Sequence, residues 1–417
     1  MIILSLACRK SCLTYHLCDE RDNHLLARGR VDLVSSGDSF LTLEVPGRET
    51  YRRQASCPTH HRALESLLGT VANPGHGLLA GLGEIDAVAH HVTQGGERFG
   101  HTVPVDPQVV AALKEIAHLA PAHNGAEIAG IEAACALLPA TPQGAVFDTA
   151  FHQTMPPRAY VYPLPYDLYR TYGIRRYGFH GPVHRFLTRQ GAAQLGRKQT
   201  DCNLVTVHLG TGVSVCAVKN GTAIDTSTGF TPLEGAMSGT GCGDIDPGIP
   251  AFLMNEGVLS PQEMKDALGL QSGLLGVTGR SSERDVVWRA GARGDERCRL
   301  AIAMEAYRLR KYLGGYLAAL GGADAVIFSG EGGEAQAELR ERTLTDLGYF
   351  GLHLDAGRNR AAAPAKGACR ISRDDSPMQA FVVPAEEDFI CAGEVAALFR
   401  APVVGATPAD GRESCAC

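Results

Sequence analysis

The sequence predicts a two-domain α/β protein with a cleft between its halves. The chain has 417 residues, which suits two domains of ordinary size. A unit of strand, tight loop and strand occurs once in each half, and stretches with helical periodicity lie between these units. Because one supersecondary design recurs, we expect two related domains that face each other, with a ligand cleft between them.

The first half opens with the first of these units. Residues 2–6 form an apolar run that predicts a buried strand, and residues 13–17 alternate as a second strand. Residues 109–116 carry apolar side chains at helical spacing after Asp106-Pro107, which is a typical helix start.

The second half repeats the design and extends it. Residues 204–208 and 213–218 predict strands around a glycine loop, and the Asn220-Gly221 turn leads to a third strand over residues 222–225. Four further elements are expected downstream: an amphipathic helix over 302–320 ended by Gly321-Gly322, a buried strand over 325–328, a polar helix through Glu338 and Arg342, and a final helix around 394–399.

Composition excludes several classes of protein. Net charge is −6, which argues against a nucleic-acid binder that depends on positive charge, and no apolar run is long enough to cross a bilayer. The 13 cysteines are scattered, so reduced thiols in a cytoplasmic protein fit better than a disulfide scaffold. The Cys415–Cys417 pair is either a metal or redox pair or simply an exposed chain end.

Two glycine segments are candidates for binding phosphate. Gly210 and Gly212 lie between two predicted strands, and Gly330, Gly332 and Gly333 follow a buried strand. Residues without Cβ let backbone N–H groups approach a phosphate, but a plain tight turn is the alternative for each segment. Neither is a Walker loop or a Rossmann fingerprint.

Acidic and histidine residues stand in distinctive strings. Asp148 lies among apolar and small residues, where a carboxylate holds Mg²⁺, polarises a substrate or caps a turn. His180 and His184 are four residues apart, but Gly181-Pro182 disfavours the helix that a zinc pair would need.

Taken together, these strings identify a resemblance to the acetate kinase family, the short-chain carboxylate kinases of the actin, sugar kinase and Hsp70 superfamily. The resemblance runs almost end to end. It is carried by VFDTAFHQTMP (146–156), RRYGFHG (175–181), HLGTGVSVCAVKNG (208–221), DTSTGFTPLEG (225–235), GDIDPGIP (243–250), GLLGVTGRSS (273–282) and LRERTLTDLGYFGLHLD (339–355).

The resemblance implies a two-domain actin-like (ribonuclease H-like) fold with an interdomain cleft. We expect an N-terminal domain over residues 1–150, a nucleotide-binding domain over 151–385, and a C-terminal helix within 386–417 that packs back on the first domain before a frayed tail. The family also suggests a homodimer, with no nucleic-acid or membrane partner.

The implied reaction depends on Mg²⁺. It transfers the γ-phosphate of ATP to a short-chain carboxylate and gives an acyl phosphate and ADP, or it runs in reverse. Matching positions assign Asp148 as the acidic catalytic residue and His180 as the residue that steadies the phosphoryl group. The remaining roles are nucleotide binding for His208, Gly210, Gly212 and Gly333, acyl-pocket lining for Phe179 and Pro232, and Mg²⁺ ligation for Glu387.

The chain departs from the family where positive charge is expected. His91 and Gly241 stand where the family has arginines, and the first loop carries Arg9 and Lys10 in place of the family's asparagine, glycine and serines. An arginine at a transferring phosphoryl group is worth about 10³–10⁵ in rate. His91 could replace that charge if a carboxylate raises its pKa, and Arg9 and Lys10 are either new site cations or solvated side chains.

The acyl pocket departs as well. Thr93 and Ala122 stand where the family has valine and leucine, which predicts an acceptor larger or more polar than acetate. A catalytically weak or silent relative that binds a nucleotide or a protein partner is the alternative function.

Overall fold

The computed structural model describes residues 1–22, 24–32, 39–364 and 367–400. The strands are β1 Ile2–Arg9, β2 Cys12–Asp19, β3 His24–Asp32, β4 Ser39–Glu44, β5 Tyr51–Ala55, β6 Ala87–Val92, β7 Val103–Pro104, β8 Gln143–Phe147, β9 Asn203–Leu209, β10 Val213–Lys219, β11 Thr222–Thr226, β12 Ala325–Ser329, β13 Cys369–Arg370 and β14 Gln379–Val382.

The helices alternate with these strands. They are α1 His60–Val71, α2 Pro107–Ile116, α3 Asn124–Leu137, α4 Pro157–Tyr160, α5 Tyr166–Tyr172, α6 Gly181–Gln194, α7 Gly248–Asn255, α8 Pro261–Leu270, α9 Gly273–Thr278, α10 Arg284–Ala292, α11 Glu296–Leu320, α12 Gly330–Ala335, α13 Ala337–Leu344, α14 Ala356–Ala361 and α15 Glu387–Arg400.

Two sheets organise the described part of the chain. One has the order β5-β4-β3-β2-β1-β6-β8-β7 and the other the order β11-β10-β9-β12-β14-β13. In each, an antiparallel hairpin continues into two parallel strands, β6 and β8 in one and β12 and β14 in the other. The repeated design predicted from the sequence is therefore confirmed, and the fold is α/β. The boundary at residue 150 stays a prediction.

The first sheet is covered on both faces, as period-two alternation requires. Leu4 and Leu6 belong to one buried cluster with residues of α1 and α3, whereas Ile3 packs against Val395 and Ala396 of α15. The helix predicted around residues 394–399 is present and packs on this sheet, but it begins at Glu387. The predicted frayed tail lies outside the described residues.

The second sheet is also packed on both faces. Val205 and Val207 of β9 belong to a buried cluster with Leu309 and Leu313 of α11, and Leu204 packs on the opposite side with residues of α6. The predicted helix is present as α11 and stops before Gly321, which has φ 74°, but it begins at Glu296 rather than at residue 302.

The cysteines of the described residues are free thiols. Among the helices that the structure describes, none combines the length and apolar character that a membrane crossing requires.

Candidate active site

Asp148 and His91 lie at the carboxyl ends of two neighbouring parallel strands, β8 and β6. Nε2 of His91 is 2.8 Å from Oδ1 of Asp148, and both side chains are largely buried. Burial by itself lowers the pKa of His91, but nearby carboxylates, chiefly Asp148, outweigh it and raise that pKa to about 10. His91 is therefore a buried cation beside the predicted acid, as the sequence allowed.

His180 precedes α6 with a left-handed backbone, φ 58°. Gly181-Pro182 was expected to disfavour a helix that carries both His180 and His184; a helix does begin at Gly181, because proline in the first turn costs no helical hydrogen bond, but His180 lies just outside it. Nδ1 of His180 lies 2.9 Å from Oγ of Ser214, and Nε2 of His184 lies 2.8 Å from the same oxygen. The two histidines thus share a hydroxyl, and burial lowers the pKa of both.

His208, near the end of β9, joins His180 to the start of α15. Its Nε2 lies 3.1 Å from Oε1 of Glu387, its Nδ1 lies 3.2 Å from Oγ of Ser329, and its ring centre is 5.0 Å from that of His180. Burial raises the pKa of the Glu387 carboxyl, but the His208 hydrogen bond and the nearby histidines hold it well below its usual range. Three predicted residues from distant parts of the chain therefore meet.

The loop between β9 and β10 lies directly against these histidines. A Cβ on Gly212 would lie 2.9 Å from Cε1 of His180, and a Cβ on Gly210 would lie 2.8 Å from Nε2 of His208. Real Cβ atoms do not approach this closely, so any other residue would displace an imidazole. Close approach, rather than turn geometry, requires glycine at both positions.

The second glycine segment begins α12 immediately after β12, where the sequence predicted a turn. Gly330 has φ 76°, and a Cβ there would lie 2.9 Å from the backbone nitrogen of Gly210. Gly333 is buried, and its carbonyl accepts a hydrogen bond from Nη1 of Arg340 at 2.8 Å. The two glycine segments are thus in contact with each other.

Arg284 contacts both glycine segments. Its Nη1 donates to the carbonyl of Gly210 at 2.8 Å, and its Nε donates to Oε1 of the buried Glu305 at 2.8 Å. Its side chain also passes close to Gly332, where a Cβ would lie 3.0 Å from Cδ of Arg284. The guanidinium group therefore orients the loop that contacts His180 and His208.

The predicted acyl-pocket residues have different environments. Phe179 is buried, and its backbone N–H donates to Oγ1 of Thr228 at 2.9 Å. The N–H of Gly181, two residues on, donates to the carbonyl of Asp148 at 2.8 Å, which keeps Phe179 close to the acid. Pro232 is exposed in the loop that follows Thr228, and the hydrogen bonds of the described residues do not join it to the cluster.

Glu127 is a buried carboxyl group that the sequence analysis missed. Oε1 accepts from Oγ1 of Thr93 at 2.6 Å, and the Thr93 N–H lies 3.2 Å from both carboxyl oxygens. Burial raises the pKa of Glu127 to about 7 against the lowering effects of Thr93 and His91. Its position in the sequence was the one sign of burial, because Glu127 lies four residues before Ile131 and therefore shares the apolar face of the same helix.

Of the other substituted positions, two are exposed and one is a glycine in a turn. Arg9 and Lys10 are exposed at the turn between β1 and β2. Burial lowers the pKa of His123, and the charge of Arg9 adds to that lowering, so Arg9 is near α3. Gly241 lies in a tight turn, where its N–H donates to Oγ of Ser238 at 2.9 Å.

The Glu387 carboxylate, unlike the imidazoles beside it, suits the predicted Mg²⁺. Mg²⁺ takes oxygen ligands and in phosphoryl-transfer sites uses one or two carboxylates together with phosphate oxygens and water. Glu387 supplies such a carboxylate, and the adjacent glycine segments are where phosphate oxygens would be bound.

Comparison with known proteins gives one consistent result. A model of the Acetokinase family matches residues 2–393. The acetate kinases of Geobacter metallireducens and Geobacter sulfurreducens are each 49% identical to this chain, over 95% and 96% of it and 94% and 95% of their own lengths.

Solved structures agree with the sequence comparisons. The crystal structure of Porphyromonas gingivalis acetate kinase is 38% identical, with a TM-score of 0.92 over 95% of this chain and 99% of the other. A propionate kinase from Francisella tularensis is 31% identical, with a TM-score of 0.85 over 94% and 98% of the two chains. The predicted fold is therefore confirmed.

Proposed function

This chain belongs to the Acetokinase family, and from that premise we propose that it transfers the γ-phosphoryl group of ATP to the carboxylate of a short-chain acid, giving an acyl phosphate and ADP, or catalyses the reverse reaction. The observation that carries this proposal is the contact network in which Gly181 bonds to the Asp148 carbonyl while His180 packs against Gly212. It supports one site shared by the acid, the histidine and the glycine loop.

Phosphoryl transfer depends mainly on alignment and on compensation of charge on the equatorial oxygens. In the proposed site, the backbone N–H groups of the two glycine segments hold the nucleotide phosphates, and Asp148 and His180 flank the acceptor. His91 supplies a cation, because its pairing with Asp148 keeps it protonated at neutral pH. Arg284 keeps the first glycine segment in place.

Mg²⁺ would be held by Glu387 and would neutralise charge on the nucleotide phosphates when bound. Oε1 of Glu387 is bonded to His208, so Oε2 is the oxygen that would be left for the ion. We therefore assign His208 two roles, namely orientation of Glu387 and contact with the loop at Gly210.

The acceptor we propose is larger or more polar than acetate. Thr93 replaces an apolar side chain with a hydroxyl that donates to buried Glu127. A pocket bounded by this pair suits an acyl chain that carries a hydroxyl group better than it suits the bare methyl group of acetate. The reason is that a buried polar site discriminates strongly by hydrogen bonding.

A second candidate function is a weak or silent relative that binds nucleotide without turnover. The specific observation in its favour is Gly241, whose tight turn contributes no cation where the family has an arginine. A hydroxamate assay for acyl phosphate, run with nucleotide-binding calorimetry, separates the two. Product above the background of an Asp148→Asn variant supports the kinase, and ADP binding without product supports the silent relative.

We also propose a homodimer. Four apolar side chains on and beside α7 and α8 are exposed, which is unusual for a surface facing water; they are Ile249, Phe252, Val258 and Leu270. Light scattering should give twice the chain mass for the wild type, and Phe252→Ser should shift the equilibrium toward the single chain. A wild-type mass of one chain would contradict the proposal.

A further inference from the structure

His180, His208 and Glu387 have a geometry that suits an ion other than Mg²⁺. One ligand atom from each residue lies within 4.8 Å of the other two. The distance from Nε2 of His208 to Oε1 of Glu387, 3.1 Å, already approaches the separation of about 3.4 Å expected for two ligands of a tetrahedral ion with bonds of about 2.0–2.2 Å.

Both imidazoles are held as metal-ligating histidines usually are. Nδ1 of His180 contacts Oγ of Ser214, and Nδ1 of His208 contacts Oγ of Ser329. A hydrogen bond at Nδ1 fixes the ring, and Nε2 of His208 binds a metal once the proton that it shares with Glu387 has moved to Nδ1 or to water. Gly210 and Gly212 keep the adjacent space free of side chains, since a Cβ on either would lie within 3.0 Å of an imidazole.

The chemistry of the donors selects the class of ion. Two imidazole nitrogens and one carboxylate suit Zn²⁺, Co²⁺ and related first-row transition ions, whereas Mg²⁺ prefers oxygen ligands. We propose that His180, His208 and Glu387 bind one transition ion of the Zn²⁺ class in the absence of nucleotide, and that this ion blocks the nucleotide phosphates. The blocking rests on the proposed function, but the binding does not.

The proposal is tested by titrating the nucleotide-free protein with Co²⁺, whose visible absorption reports its ligands, and with Zn²⁺ by calorimetry. Every protein carries Cys415→Ser and Cys417→Ser, so that the two thiols at the chain end do not bind the ion. His208→Gln and Glu387→Gln remove ligands, whereas Glu386→Gln changes the exposed neighbouring carboxylate and His101→Gln an exposed histidine.

We expect one ion per chain in the background protein and both control variants, and affinity lowered on the order of 100-fold in the two ligand variants. Ser329→Ala, which retains all three ligands, should lower the affinity about 10-fold or more. Addition of ADP should displace Co²⁺, and Zn²⁺ should raise the KM for ATP. Equal Co²⁺ affinity in the ligand variants and controls would overturn the proposal.

If a ligand variant loses its circular dichroism signal, Ser329→Ala and displacement by ADP decide the result. If Ser329→Ala binds Co²⁺ with unchanged affinity and ADP does not displace the ion, then the ion is bound elsewhere. Because Co²⁺ binding is measured without substrates, its absence leaves the kinase proposal intact. A protein that binds Co²⁺ but forms no acyl phosphate would retain the metal site and refute the kinase.

Discussion

Replacing Glu127 by glutamine should make the protein more stable at high pH. Burial raises the pKa of Glu127 from 4.5 to about 7, so the folded protein holds this proton more tightly than the unfolded chain. The stabilisation of the folded state that the protonated Glu127 provides is fully present below pH 4.5 and is lost as the pH rises through 7. At pH 8 the ionised carboxylate therefore costs about 3 kcal/mol.

Glutamine retains an oxygen that can accept from Thr93 but does not ionise. Relative to the wild type, Glu127→Gln should gain about 3 kcal/mol in free energy of unfolding between pH 4.5 and pH 8. This corresponds to about 3–4 °C in Tm, measured by calorimetry, if the chain unfolds as one unit.

Glu132→Gln is the matched control on the same helix. Glu132 is exposed and paired with Lys114, so its replacement should change the pH dependence by less than about 1 kcal/mol. A Tm difference between wild type and Glu127→Gln that is equal at both pH values would refute the reasoning.

The remaining predictions concern turnover, specificity and loop anchoring. His91→Gln should lower kcat in the hydroxamate assay by about 10³-fold, whereas His91→Arg should retain turnover; unchanged kcat in His91→Gln would rule out a catalytic cation there. Thr93→Val should shift kcat/KM toward acetate over a hydroxy acid by about 10-fold or more, and an unchanged ranking of acetate, propionate, butyrate and the hydroxy acid would contradict the pocket assignment. Arg284→Ala leaves Glu305 buried without its partner, so urea unfolding should show a loss of about 3–5 kcal/mol, and equal stability would show that the pair does not anchor the loop.

Elements governed by local periodicity were predictable. The hairpin of β9 and β10 and the long helix α11 follow directly from alternation, helical spacing and glycine stops. The helix α6 was not predicted, because Gly181-Pro182 was taken as unfavourable for a helix, although in the first turn proline is favoured. The early start of α15 was missed because the residues before 394 lack a clear apolar period.

The family strings supplied the candidate site residues, whose roles stay predictions, but gave no sign of the contacts between them. Glu127 was missed because, from sequence alone, a carboxylate on the apolar face of a helix looks the same as a helix whose faces have been assigned incorrectly. Only the packing of the folded chain brings Glu127 to Thr93. The bond from Arg284 to Gly210 joins residues 74 positions apart and has no local pattern.

Charge balance connects the two substituted regions of the site. His91 is the cation paired with Asp148, and Glu127 lies close enough to both for its charge to affect the pKa of His91. In the proposed site, protonated His91 favours binding of an anionic acceptor up to about pH 10. Ionised Glu127 opposes that binding above about pH 7. With Glu127 neutral, the Thr93–Glu127 pair presents a hydrogen-bonding wall without adding negative charge. The carboxyl group that we propose selects a polar acyl chain would thus weaken acceptor binding as the pH rises, so the proposed acceptor specificity and its pH dependence have a common origin.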